Sequence, residues 1–213
     1  MRPTADSARV PQARTRLARR AVLDAARALF LERGYGATTI EAISTASDVP
    51  QATVYRLFSS KPGILKALLD ATIAGDDEPV PVADRVAVRS RLDVADPRDR
   101  LAGLAAVSVE INRRTAPIYW ILVSAAGSDP AAAELLDELT CQRQVGQGRL
   151  AKALSEASAL RSGVRARDAA DIIHALASPE VYRSLVIDRK WSDDRFERWL
   201  SDSLAAQLLG DRF

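Results

Sequence analysis

Cysteine occurs once in these 213 residues, as Cys141, and histidine once, as His174. One of each excludes an internal disulfide framework and leaves too few soft ligands for a His/Cys metal site. The lone thiol is expected to be buried and inert, in a reducing cytoplasm. Aromatic residues make up 5%, and ten Gly and ten Pro are few for an all-β chain with its many turns. No apolar run approaches the roughly 20 residues that cross a bilayer. The first twenty residues, MRPTADSARVPQARTRLARR, are basic but lack the apolar stretch of a signal peptide. Neither a P-loop nor a dinucleotide glycine pattern is present, and no nucleophile has a nearby base. These absences argue against an enzyme, a cofactor, a metal and a membrane partner.

What remains is rich in Ala, Leu, Arg, Asp and Glu, with 47% hydrophobic residues, so an all-α fold is expected. The net charge of +2 hides an asymmetry. Residues 1–66 hold 11 Lys or Arg against 5 Asp or Glu, a balance of +6, whereas residues 67–213 hold 19 against 23, a balance of −4. A basic first third on a mildly acidic remainder points to an anionic partner for the first part only.

Residues 1–13 carry Arg2, Pro3, Arg9 and Pro11 without periodicity and read as a disordered basic arm. From Thr15 onward Ala18, Ala21, Val22, Ala25, Ala26, Leu29 and Phe30 recur at helical spacing, with Gly34 at the expected helix end. Thr38-Thr39-Ile40-Glu41 then reads as a capping box with Thr38 as the cap, opening a helix with Ile40 and Ile43 inward that ends near Ser47. Asp48 tolerates the left-handed turn that follows, and Pro50 suits the first turn of another helix. In that helix Val54, Leu57 and Phe58 form the docking side, leaving Gln51, Thr53 and Arg56 outward. Helix, tight turn, helix on a longer supporting helix is a helix-turn-helix, here expected over residues 14–66.

A short helix entering a major groove about 12 Å wide brings three or four polar side chains to base edges. Gln51 suits an adenine edge, Arg56 a guanine edge and the Thr53 methyl a thymine. Tyr55, Lys61 and the Thr39 backbone N–H offer phosphate contacts, and Arg14, Arg16, Arg19 and Arg20 add charge from the arm. Residues 22–65 also resemble the TetR (tetracycline-repressor) family of bacterial transcription regulators. The resemblance rests on VLDAARALFLERGYGATTIEAI, on VPQATVYRLFSSK and on Ile64-Leu65 behind it. It implies Gln51, Ala52, Thr53 and Arg56 as base-reading positions and Thr39, Tyr55 and Lys61 as phosphate positions. Asp48 and Ala52 stand where the family often has glycine, Pro50 where it has Ser or Thr, Pro62 where it has an acid, and Leu57 where a phosphate-contacting side chain is common.

Residues 67–213 are read as a helical effector-binding and dimerisation domain, entered through the acidic, proline-bearing GDDEPVPV loop at 75–82. Six helices are expected near 83–93, 97–115, 117–126, 130–160, 167–187 and 193–209. Asp96-Pro97 and Asp129-Pro130 supply cap-and-proline starts. A single reading helix sees too few base pairs, so a homodimer on a palindromic operator is expected, with half-sites about 34 Å apart. The last stripe, Phe196, Trp199, Leu200 and Leu204, is its natural interface, or else completes one chain's core. The resemblance further implies a repressor released from double-stranded DNA by a small-molecule effector, in a cytoplasmic, nucleoid-associated protein. Glu110, Asn112, Tyr119, Trp120, His174 and Tyr182 are candidate pocket groups, although each also suits a core. A constitutive architectural DNA-binder without an effector is the alternative.

Overall fold

A computed structural model describes residues 6–74 and 90–210. Among them it is all-α, with one isolated antiparallel bridge between Leu160 and Leu209. The helices are α1 (Asp6–Ala37), α2 (Ile40–Ser47), α3 (Gln51–Phe58), α4 (Lys61–Ala74), α5 (Pro97–Ala126), α6 (Pro130–Glu156), α7 (Ala166–Leu176), α8 (Pro179–Tyr182) and α9 (Asp193–Leu208), with a π-helical stretch Arg183–Asp188 after α8. The helix expected at 83–93 lies outside the described residues except for 90–93, of which 90–92 are helical. The backbone is helical from Asp6, so most of the expected arm, residues 6–13, extends α1; residues 1–5 lie outside the described ones.

The chain divides into two compact units that do not follow its order. One runs up to Thr72 and adds Pro117–Leu136; the other takes Ile73–Ala116 and everything from Asp137. In the first, α1 buries Val22, Ala26, Leu29 and Phe30, as its stripe predicts, and Gly34 (φ 77, ψ 166) interrupts the helix near its end. Ile43 of α2, Val54 and Phe58 of α3, and Ile64, Leu65 and Leu68 of α4 are also buried. At eight residues, α2 and α3 are too short to persist alone. Burying each large apolar side chain contributes about 1.5–3 kcal/mol, and that anchoring keeps them helical.

Caps and turns set the angles between these helices. Thr39, not Thr38, is the N-cap of α2: its Oγ1 accepts a 3.1 Å bond from the Ala42 N–H. Thr38 is 1% exposed and donates its hydroxyl to the Gly34 carbonyl at 2.8 Å and the Leu29 carbonyl at 3.3 Å. It closes the end of α1 instead of opening α2, which corrects the capping assignment by one residue. Asp48 takes the left-handed conformation (φ 54, ψ 32), and Ser44 Oγ donates to the Val49 carbonyl across the turn at 2.7 Å. Pro50, one position earlier than expected, is the N-cap of α3. Gly63 is obligatory, because a Cβ there would lie 2.0 Å from the Phe58 carbonyl oxygen.

Elsewhere the expected helix boundaries shift. One helix, α5, runs through Pro117, where two were predicted. A proline costs an internal hydrogen bond; Ala116, Ile118 and Leu122, all buried around it, outweigh that loss. Asp129 caps α6, accepting from the Ala131 N–H at 3.0 Å, and α6 ends at Glu156 rather than 160. The predicted break at Ser178-Pro179 is present, with Ser178 Oγ accepting from the Val181 N–H at 3.2 Å. Phe196, Leu200, Leu204 and Leu208 of α9 are fully buried in the core of the second unit together with Leu101, Leu154 and Ile173.

Candidate nucleic-acid interface

α3 has two unlike faces. Val54 and Phe58 face the core, while Gln51, Ala52, Tyr55 and Arg56 are exposed and Thr53 and Leu57 are half-buried. Four of the expected base-reading and phosphate-contacting side chains therefore stand clear of the protein, with Thr53 at the margin. From α1, Arg19 lays its guanidinium over the Phe58 ring, 4.9 Å from its centroid, which fixes one arginine beside the end of α3.

The start of α2 is held from below by Lys61. Its Nζ donates to the Tyr35 carbonyl at 2.9 Å and the Thr38 carbonyl at 3.1 Å, and lies 4.1 Å from the Tyr35 ring centroid. Partial burial lowers the Lys61 pKa, opposed by the negative charge of Asp129. Tyr35 Oη in turn donates to Asp129 Oδ2 at 2.7 Å. Burial and that carboxylate push the Tyr35 phenol well above its usual range, while the same bond holds Asp129 below the ordinary carboxylate value. Thr39, the residue after this knot, is exposed at the N-terminus of α2, where backbone N–H groups favour an anion. Lys61, predicted as a free phosphate contact, thus already serves two carbonyls of its own chain.

Of the six candidate pocket residues, two lie in the first unit and four in the second. Tyr119 and Trp120 pair edge-to-face at 5.5 Å within the first unit. In the second, Glu110 forms ion pairs with Arg91 at 3.2 Å and Arg114 at 3.1 Å; Asn112 is buried; Tyr182 donates to Asp193 at 2.8 Å and packs on Phe196. His174 meets Gln147 and Arg143 of α6, two residues that sequence reasoning missed. The signal was present: Leu139, Leu150 and Leu154 mark the buried face of α6, and positions 143 and 147 fall on it.

Two further expectations are corrected. Cys141 is exposed, since its turn of α6 faces away from Leu139 and Leu150. Phe196, Leu200 and Leu204, the proposed dimer stripe, are each 0% exposed within a single chain, so they have no surface left to give a partner; Trp199 alone of the four is half-buried.

The described residues thus combine a helix-turn-helix in one unit with a helical core in the other. Residues 22–68 match the family model described as bacterial regulatory proteins, tetR family. The chain is 44% identical over 48 residues to the uncharacterized HTH-type transcriptional regulator YvkB of Bacillus subtilis (strain 168), a match covering 22% of this chain and 25% of that relative. Solved structures extend the likeness to the whole fold. NalD, the secondary repressor of the MexAB-OprM multidrug efflux pump in Pseudomonas aeruginosa, superposes with a TM-score of 0.72 at 23% identity, over 92% of this chain and 99% of that one. SmeT, solved as a complex with triclosan, superposes with a TM-score of 0.71 at 20% identity, over 91% and 92%. Residues 22–68 are thus similar to the DNA-binding region of TetR-family regulators, and the chain as a whole shares the fold of these solved structures. No helix among the described residues is long and apolar enough to cross a membrane.

Proposed function

We propose that this protein is a sequence-specific, homodimeric DNA-binding regulator, a repressor that a small-molecule effector releases from a palindromic operator. The observation that carries the reading is α3: an eight-residue helix anchored by Val54 and Phe58 that leaves Gln51, Ala52 and Arg56 open to a groove. Gln51, Ala52, Thr53 and Arg56 read bases; Thr39 and Tyr55 hold phosphates; Lys61 acts on the phosphate side chiefly by fixing the start of α2. Two copies double the short recognition site. Effector control means that the ligand binds the released conformation better, and it shifts the balance only by that difference. The ligand-bound solved neighbour, SmeT with triclosan, supports this part of the reading.

The test is selection of bound duplexes from a random pool, followed by titration of the winning duplex and a scrambled one. Arg56→Ala is expected to lose affinity for the selected duplex by about 5–150-fold, the equivalent of 1–3 kcal/mol, with little change on the scrambled one. Indifference of the wild-type protein to every duplex at low salt, together with a monomeric state, sinks the proposal.

A further inference from the structure

On the buried face of α6, two turns interrupt the apolar stripe. Leu139, Leu150 and Leu154 are buried, and between them stand Arg143 and Gln147, facing His174 of α7. Gln147 Oε1 lies 2.8 Å from His174 Nδ1, and a side-chain amide oxygen only accepts, so Nδ1 carries a proton in this pair. Arg143 Nη2 lies a long 3.5 Å from His174 Nε2. That weak bond is what Arg143 has: its Nε and Nη1 are shielded from solvent and have no hydrogen-bond partner among the described residues. No carboxylate within ion-pair distance of Arg143 appears among the described residues either.

A guanidinium keeps its charge at every physiological pH, so it cannot relieve this by losing a proton. Half-buried, with two nitrogens shielded from water and an imidazole as its one side-chain acceptor, it is a cation in need of an anion. Nε and Nη2 present parallel N–H groups, the fork that a carboxylate fills with its two oxygens, and filling it displaces only the long His174 contact. We infer that Arg143, supported by His174 and Gln147, is the recognition point for the carboxylate head of an otherwise apolar effector, its body lying along the leucine stripe of α6. The shielding argues for a small molecule over a partner's surface carboxylate, because the free nitrogens are covered by this chain's own helices and are reached only when α6 and α7 part slightly. The effector would then favour that parted form, as release from DNA requires. This inference rests on effector control as proposed above.

The experiment is a thermal-shift and calorimetric screen of the full-length protein with matched pairs: hexanoate, octanoate, decanoate, benzoate and phenylacetate, each against its primary amide. At least one acid is expected to raise the Tm of the wild type by several degrees while its amide leaves it unmoved. Arg143→Met is expected to raise the unliganded Tm and abolish the response. Arg143→Lys, which keeps the charge without the fork, is expected to weaken binding tenfold or more. If the acids leave the wild type unmoved, or an acid shifts wild type and both variants alike, the carboxylate site is overturned. If an amide shifts all three proteins, the carboxylate site falls while effector control stands.

Discussion

The phenol of Tyr35, at the end of α1, donates a 2.7 Å hydrogen bond to the carboxylate of Asp129, ninety-four residues further along the chain. Asp129 also caps α6 with its other oxygen, and the Tyr35 and Thr38 carbonyls receive the Lys61 ammonium. One carboxylate therefore ties the base of the helix-turn-helix to the start of α6, inside a single compact unit.

Removing the phenol oxygen breaks one tie and spares the other. Tyr35→Phe leaves Asp129 capping α6 but deletes a bond to a charged acceptor, worth about 1.5–3 kcal/mol. Asp129→Ala deletes the bond and the cap together and is expected to cost about 1 kcal/mol more. Urea denaturation of the two variants beside wild type reads the difference directly, and equal losses would mean the cap contributes nothing.

The same bond sets a pH dependence. Its main effect on Asp129 is to lower the carboxyl pKa in the folded state. A depressed carboxylate contributes stability that is fully present above its unfolded pKa of about 3.9 and disappears as pH falls through the lower folded value. The stability gap between wild type and Tyr35→Phe is therefore expected to be full at pH 6 and to shrink below pH 4. A gap that stayed constant into acid would detach the bond from the ionised carboxylate.

The two adjacent threonines should separate cleanly. Thr38→Val removes two buried hydroxyl bonds and is expected to cost about 1–3 kcal/mol. Thr39→Ala removes the cap of α2, costing about 1 kcal/mol. Under conditions where both variants are fully folded, Thr39→Ala alone is expected to weaken DNA binding, because it loosens the exposed start of α2 whose backbone N–H groups face the phosphate. A matching loss in Thr38→Val would place the phosphate contact elsewhere.

Those threonines also mark where sequence reasoning reached its limit. The helix-turn-helix was legible because its signals are local: the stripe of α1, the left-handed Asp48, the proline before Gln51 and the apolar Val54 and Phe58. Both threonines suit an N-cap and Glu41 points to Thr38 as the cap; the choice falls to the carbonyls of Leu29 and Gly34, which only the fold brings to Thr38. Pro117 read as a helix end by propensity, and burial of Ile118 and Leu122 overrode it. Arg143 and His174 stand 31 residues apart on different helices, so nothing local joins them.

The stripe of α9 shows the harder ambiguity, because an apolar face reveals that it is covered without revealing by what. Leu200 and Leu204 are sealed inside one chain, whereas Trp199 lies half-buried against Trp191 and Phe196. Truncating a sealed leucine removes its transfer energy and leaves a cavity, so Leu200→Ala is expected to lower stability by about 2–5 kcal/mol. The folded fraction of that variant should self-associate as wild type does, since Leu200 has no exposed surface within one chain. Trp199→Ala is expected to do the reverse, weakening self-association more than it weakens the fold. Sedimentation velocity across a concentration series, run beside denaturation, separates the two. Should Leu200→Ala yield a stable folded monomer, the stripe would belong to the interface and the single-chain core would have to be rebuilt around other residues.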